Sequence, residues 1–295
     1  MADITLDHLN AADTAGFVAA VGDIFEHSPW IAEQTAATRP FPTVAALFAA
    51  MQTVVREAGA KRQLELIKAH PDLAGKAARA GSLTADSTAE QTSAGLNRLG
   101  EDEYARFHRL NDAYRSRFGI PFIVCVRRHT KGSILRQFEL RLMNHADAER
   151  EAALTEIFRI AALRLDQRIA APDRLPVHGR LSTHVLDTHG GHPAPGIALE
   201  LWEVEGGGAV RLIERATTND DGRTDRPLIS GQPLPIGDYE LRFSVGDYFA
   251  QRGVVTADPA FLGVVPVRFS IAEPEGHYHV PLLVSPWSYT TYRGS

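Results

Sequence analysis

Apolar residues recur three and four apart through the first 170 positions and alternate one-on, one-off through the rest. The first spacing belongs to a helix with one buried face, the second to a strand packed on one side. Thr43 is placed to cap a helix that sets Leu47, Phe48, Met51, Val54 and Val55 on one stripe. Glu101 to Phe118 reads as another, closed by Gly119. A third runs from Asp147 to about Ile169, with Leu154, Ile157, Phe158, Ala161 and Leu165 as its apolar face. This half predicts an all-α helical bundle.

Beyond it, LSTHVLD puts Leu181, Thr183 and Val185 on one face and Ser182, His184 and Leu186 on the other. IALELWEV, YELRFSVGDYF, VPVRFSI and HYHVPLLVS repeat the alternation between turn-rich stretches such as EGGG, NDDGR and LPIGD. An all-β sandwich is the expectation. Composition agrees: Gly and Pro number 14 in residues 1–171 but 27 in the shorter remainder, and all four lysines lie before residue 172. The expected division is a helical domain over 1–169, a linker over 170–177 and a β domain over 178–295, because Pro172 cannot continue the preceding helix.

Charge and cysteine usage narrow the class. A net charge of -5 without a basic run gives no electrostatic case for nucleic acid. No apolar run approaches the ~20 residues of a membrane helix, and the first residues lack the basic start and apolar block of an export leader. One cysteine, Cys125, precludes an intrachain disulfide. A cytoplasmic protein acting on small molecules is expected.

Candidate chemistry falls in both halves. In HYHVPLLV the core face is Tyr278, Val280, Leu282 and Val284, which turns His277 and His279 outward. His184 points the same way, and Arg223 and Arg293 complete a His/Arg set. Singly, each histidine is better read as a solvated surface residue. Together they suit water attack on an activated amide, with an imidazole as base and a guanidinium for the oxyanion. A metal at His-x-His ranks lower, since no acidic or thiol ligand stands beside it in sequence. A flat outer face is a poor cleft, so a second subunit is expected to close it.

In the helical half, Pro71 ends a helix near His70. Ser87-x-x-Glu90 is most simply a capping box. Phe122 to Val126 reads as buried, with Cys125 an inert core thiol. Arg164 is as easily a surface residue as a functional one.

HYHVPLLVSPWSYTTYRGS, LSTHVLDTHGGHPAPG and TNDDGRTD resemble the 5-hydroxyisourate hydrolase family of transthyretin-like enzymes over about residues 177–295. The resemblance implies His184, Arg223 and His279 as catalytic and Tyr292, Arg293, Gly294 and Ser295 as substrate-binding. AHPDLAGKAA, LTADSTAEQTSAGL, GIPFIVCVR and ALRL are similar to the 2-oxo-4-hydroxy-4-carboxy-5-ureidoimidazoline (OHCU) decarboxylase family over about residues 5–168. That likeness implies His70, Glu90 and Arg164 as catalytic, His70 as proton donor. It implies Pro71, Ser87, Gln91 and the backbone of Phe122, Ile123, Val124, Cys125 and Val126 as substrate contacts. The activities implied are consecutive steps of urate degradation ending in (S)-allantoin, without metal or cofactor, in a homo-oligomer: tetrameric for the hydrolase family, dimeric for the decarboxylase. The competing reading is a transthyretin-like binding module with only one catalytic domain.

Overall fold

A computed structural model describes residues 4–74 and 84–294. Two compact units emerge: one of Met1–Arg127 with Ile134–Val177, the other of His178–Ser295 with the short segment Arg128–Ser133. Residues 170–177, expected as a linker, therefore group with the helical unit. Local bonds explain this. Asp173 accepts from the Val44 N–H at 2.8 Å, Asp166 binds both the Arg174 guanidinium and the Leu175 N–H, and Leu175 is buried.

The described helices are α1 (Leu6–Ala11), α2 (Thr14–Val21), α3 (Trp30–Thr35), α4 (Val44–Glu57), α5 (Gly59–Lys68), α6 (Ala85–Ser93), α7 (Glu101–Phe118), α8 (Lys131–Arg141), α9 (Ala146–Arg168) and, in the second unit, α10 (Val245–Gln251). Thr43 caps α4 as expected, its hydroxyl accepting from the Ala46 N–H. Leu47, Met51 and Val55 are buried, with Phe48 and Val54 at the edge of the same core. Helix α7 stops at Gly119, whose φ of 69° lies in the left-handed region that glycine enters at little cost. The five expected apolar positions of α9 are all buried. A two-residue parallel pair, β1 (Ile4–Thr5) with β2 (Ile169–Ala170), is the strand content of this unit among the described residues.

The second unit is β-rich. One sheet runs β10–β9–β6–β7, from Val264–Ile271, Gly237–Ser244, Ala198–Val204 and Val210–Thr217. The other face contains β11 (His277–His279), β3 (Gly179–Ser182) and β8 (Ile229–Gln232), followed by β13 (Ser288–Thr291), β12 (Leu282–Ser285), β4 (Val185–Asp187) and β5 (His192–Pro193). LSTHVLD and HYHVPLLVS, each expected as one strand, are each broken in two. The breaks face each other: β11 pairs parallel with β3, β12 pairs parallel with β4, and the register is the same across both. Pro281 stands opposite His184 at the gap. The neighbouring bonds, Val280 N–H to the Ser182 carbonyl and Leu282 N–H to the His184 carbonyl, keep the strands aligned across the gap. The expected core face survives, with Leu181, Thr183, Val185, Tyr278, Val280, Leu282 and Val284 all buried.

Candidate active sites

The helical unit contains a small pocket walled by His70, Pro71, Leu73, Ser87, Glu90, Gln91, Phe122, Ile123, Val124, Val126, Ile160 and Arg164. His70 follows the end of α5 and is 7% exposed, with Nδ1 3.0 Å from the Leu66 carbonyl. That oxygen can only accept, so Nδ1 carries the hydrogen and Nε2 keeps its lone pair. Burial pushes the imidazole down to about 4, against weaker opposing effects of the Leu66 bond and the Glu26 carboxylate. His70 is therefore neutral near pH 7.

Ser87 does not cap α6. Thr84 does, accepting from the Ser87 N–H at 3.3 Å and donating its own hydroxyl to Glu26 at 2.7 Å. Placed inside the helix, Ser87 donates to the same Glu26 carboxylate at 3.2 Å. Glu90, one turn on, accepts from Arg164 Nε and Nη2 at 2.8 and 2.9 Å. The capping-box reading of Ser87 and Glu90 gives way to two pocket contacts. Burial raises the Glu90 carboxyl, partly offset by Arg164. Arg164 is itself buried, its Nη1 donating to Glu26 at 2.8 Å, and the two carboxylates raise its already high pKa. Gln91 holds the loop after Pro71, its Oε1 accepting from the Ala74 N–H at 3.0 Å.

The 122–126 wall is braced from behind. Phe122 stacks on Phe138 at 3.6 Å, and Arg141 donates to the Ile123 carbonyl at 2.6 Å while pairing with buried Glu149. Cys125 departs from the expectation for its segment: it is buried off the cavity wall, and its N–H is taken by Glu156 at 2.8 Å. Sequence reasoning missed Glu26, Leu73 and Ile160. Glu26 gave no signal, because nothing local marks a carboxylate in DIFEHS for burial.

In the β unit, the shared register sets His184 and His279 on neighbouring strands of one face. Arg223 reaches them from a turn in which Asn219 Oδ1 accepts from the Asp221 and Arg223 N–H groups, and it forms a bridge with His184. His184 hydrogen-bonds the Asp221 backbone, and its Nε2 is buried without a partner among the described residues. His279 Nδ1 lies 3.0 Å from Ser182 Oγ, which also lies 3.3 Å from His277 Nε2. Burial first and Arg223 second lower both His184 and His279 below the usual imidazole value.

The tail is divided. Gly294 pairs with His279, its N–H bound to the His279 carbonyl at 2.9 Å. A Cβ at 294 would stand 2.6 Å from His279 Cδ2, so glycine is what lets the chain cross the imidazole. Arg293 instead lies over the Tyr278 ring and pairs with Glu273 at 3.3 Å. Tyr292 is exposed, and Ser295 lies outside the described residues, as does the 75–83 part of the helical motifs. The described residues hold no group of three His, Cys, Asp or Glu side chains placed to bind a metal, and no helix long and apolar enough to cross a membrane.

A helical bundle around a buried His–Glu–Arg pocket, joined to a sandwich with paired imidazoles beside an arginine, defines a two-unit acid–base enzyme. The chain belongs to the OHCU decarboxylase family through residues 10–166 and to the HIUase/transthyretin family through residues 181–294. It is 42% identical over 167 residues to a 2-oxo-4-hydroxy-4-carboxy-5-ureidoimidazoline decarboxylase of Halalkalicoccus jeotgali, spanning 57% of this chain and 93% of that one. It is 56% identical over 117 residues to 5-hydroxyisourate hydrolase 2 of Rhizobium meliloti, spanning 40% and 97%. A solved (S)-allantoin synthase matches 99% of this chain and 100% of its own, at 36% identity and a TM-score of 0.54.

Proposed function

We propose that the β unit hydrolyses 5-hydroxyisourate to OHCU and the helical unit decarboxylates OHCU to (S)-allantoin. The observation that carries this is one chain matching (S)-allantoin synthase end to end, with an acid–base site in each unit. The same geometry disfavours a binding module, which has no use for an unpartnered imidazole nitrogen beside a guanidinium.

In the hydrolase, the Asp221 carbonyl takes the hydrogen on His184 Nδ1 and leaves Nε2 as the lone pair. His184 is thereby assigned as the base that deprotonates water attacking the lactam carbonyl. Arg223 stabilises the oxyanion that forms. The His184 imidazolium then returns that proton to the departing ring nitrogen, with His279 held beside it by Ser182.

In the decarboxylase, a neutral His70 has no second proton to give at the outset. The expectation of a simple donor is refined to a shuttle. Nε2 takes the proton of the substrate's 4-hydroxyl as the bond to the carboxylate breaks. Carbon dioxide leaves, the electron pair moves into the ring imine, and the imine nitrogen takes a proton from solvent. The imidazolium then returns its proton to the carbon bearing the ureido group, on one face only. Arg164 holds Glu90 for the ureido group, and Pro71 and Phe122 to Val124 wall the ring.

The homo-oligomer and a cytoplasmic location belong to the same proposal. Edge strand β13 is exposed at all four residues, with Trp287, Tyr289 and Tyr292 exposed along it, a surface suited to a second subunit. The test is a carbon-13 NMR time course from urate with urate oxidase, with circular dichroism of the product to read its handedness, run with and without chelator. Optically pure (S)-allantoin at equal rates in both is expected. Decay of 5-hydroxyisourate at its spontaneous rate, ending in racemic allantoin, would refute both activities.

A further inference from the structure

Glu26 is 3% exposed and lies behind the decarboxylation pocket without lining it. Its Oε1 accepts from Thr84 and Ser87 and its Oε2 from Arg164 Nη1. We propose that Glu26 is a positioning residue: by occupying one edge of the Arg164 guanidinium, it keeps Arg164 serving Glu90 and unavailable to the substrate's own carboxylate. This rests on the decarboxylase reading of the pocket.

The contacts of Arg164 make the case. Nε and Nη2 are committed to Glu90, Nη1 to Glu26, and Nη2 also lies 3.5 Å from Ser87 Oγ. Two carboxylates around one guanidinium leave Arg164 fully committed among the described residues of this wall. An arginine that paired with the substrate carboxylate would stabilise the group that must leave, and would tighten binding while slowing the reaction. Loss of carbon dioxide is favoured when that carboxylate is left without a strong counter-ion. Glu26 is the group that withholds it, from 138 residues away in sequence.

Glu26→Gln keeps the shape and an acceptor for Arg164 but removes the charge. In the full chain, decarboxylation kcat should fall about tenfold or more, the scale of one charge-assisted hydrogen bond, while KM stays level or drops. The hydrolase rate of the same chain should be unchanged. A general loosening would instead raise KM, so a raised KM with kcat kept would overturn the proposal, as would unchanged kcat and KM. If Glu26→Gln loses the helical circular dichroism of the parent, Glu26→Asp carries the test. It keeps the charge but cannot span from Thr84 to Arg164, so kcat should fall by a smaller factor without a rise in KM. Kinetics of Glu26→Asp equal to the parent would then sink the idea. Failure of the unmutated chain to release carbon dioxide from OHCU would remove the reading beneath it.

Discussion

Replacing His70 by Asn should produce two separable effects, one kinetic and one thermodynamic. Kinetically, loss of a positioned proton shuttle costs about 10²–10⁴-fold in decarboxylation rate, with hydrolysis by the β unit untouched. Thermodynamically, the folded imidazole sits at about 4 and an unfolded one near 6.5. Above 6.5 both states are neutral and the shift has no effect. Between 6.5 and 4 the unfolded chain binds the extra proton, so stability falls as pH falls. At about 1.4 kcal/mol per unit, the helical unit should lose roughly 2–3 kcal/mol between pH 7 and pH 4.5 through this one residue. Asn cannot take up that proton, and its variant should lose correspondingly less. The assay is urea unfolding followed by helical circular dichroism at both pH values, each chain compared with itself so that other titrating groups cancel. Equal losses of stability in parent and variant would refute the account of a buried, neutral His70.

Three further outcomes follow from the β unit. Arg223→Gln should lower hydrolase kcat by about 10²–10³-fold, as for a lost oxyanion donor. Because Arg223 helps hold His184 and His279 below the usual imidazole value, the acid limb of the pH–rate profile should also move to higher pH. A limb that stays in place would separate Arg223 from the base. Gly294→Ala must displace the His279 ring, and a misplacement approaching 1 Å costs on the order of 10²-fold in hydrolysis; decarboxylation by the same protein should not change. Deletion of residues 292–295 should likewise abolish hydrolysis alone, and loss of both activities would show that the tail supports more than the β unit.

Much of this was legible in the sequence because it is local. The stripe from Leu47 to Val55, the glycine stop after Phe118 and the core alternation from Tyr278 to Val284 depend on residues a few positions apart. The strand breaks were not foreseen, because the apolar alternation reads straight through Thr183-His184 and Val280-Pro281. Ser87 and Glu90 show a different limit. Their spacing fits a capping box, but Thr84 takes the cap, which frees both side chains for groups on distant elements. Glu26 is the extreme case, since its burial is compensated by Thr84, Ser87 and Arg164, none of them neighbours in sequence. Arg293 carried a motif but no direction, and Tyr278 with Glu273 supplies one.

The joining of Glu26, Glu90 and Arg164 has a consequence for how the helical unit acquires activity. These groups sit in the first, middle and last parts of the unit, and the widest link spans 138 residues. Local helices form quickly, whereas contacts of high sequence separation wait on the closure of long loops. The pocket's charges can balance only after α9 has docked, so Glu26 and Glu90 lack their counter-ion in any collapsed intermediate without this helix. Onset of decarboxylation during refolding should thus lag behind recovery of helical signal, making catalysis a late marker of native topology.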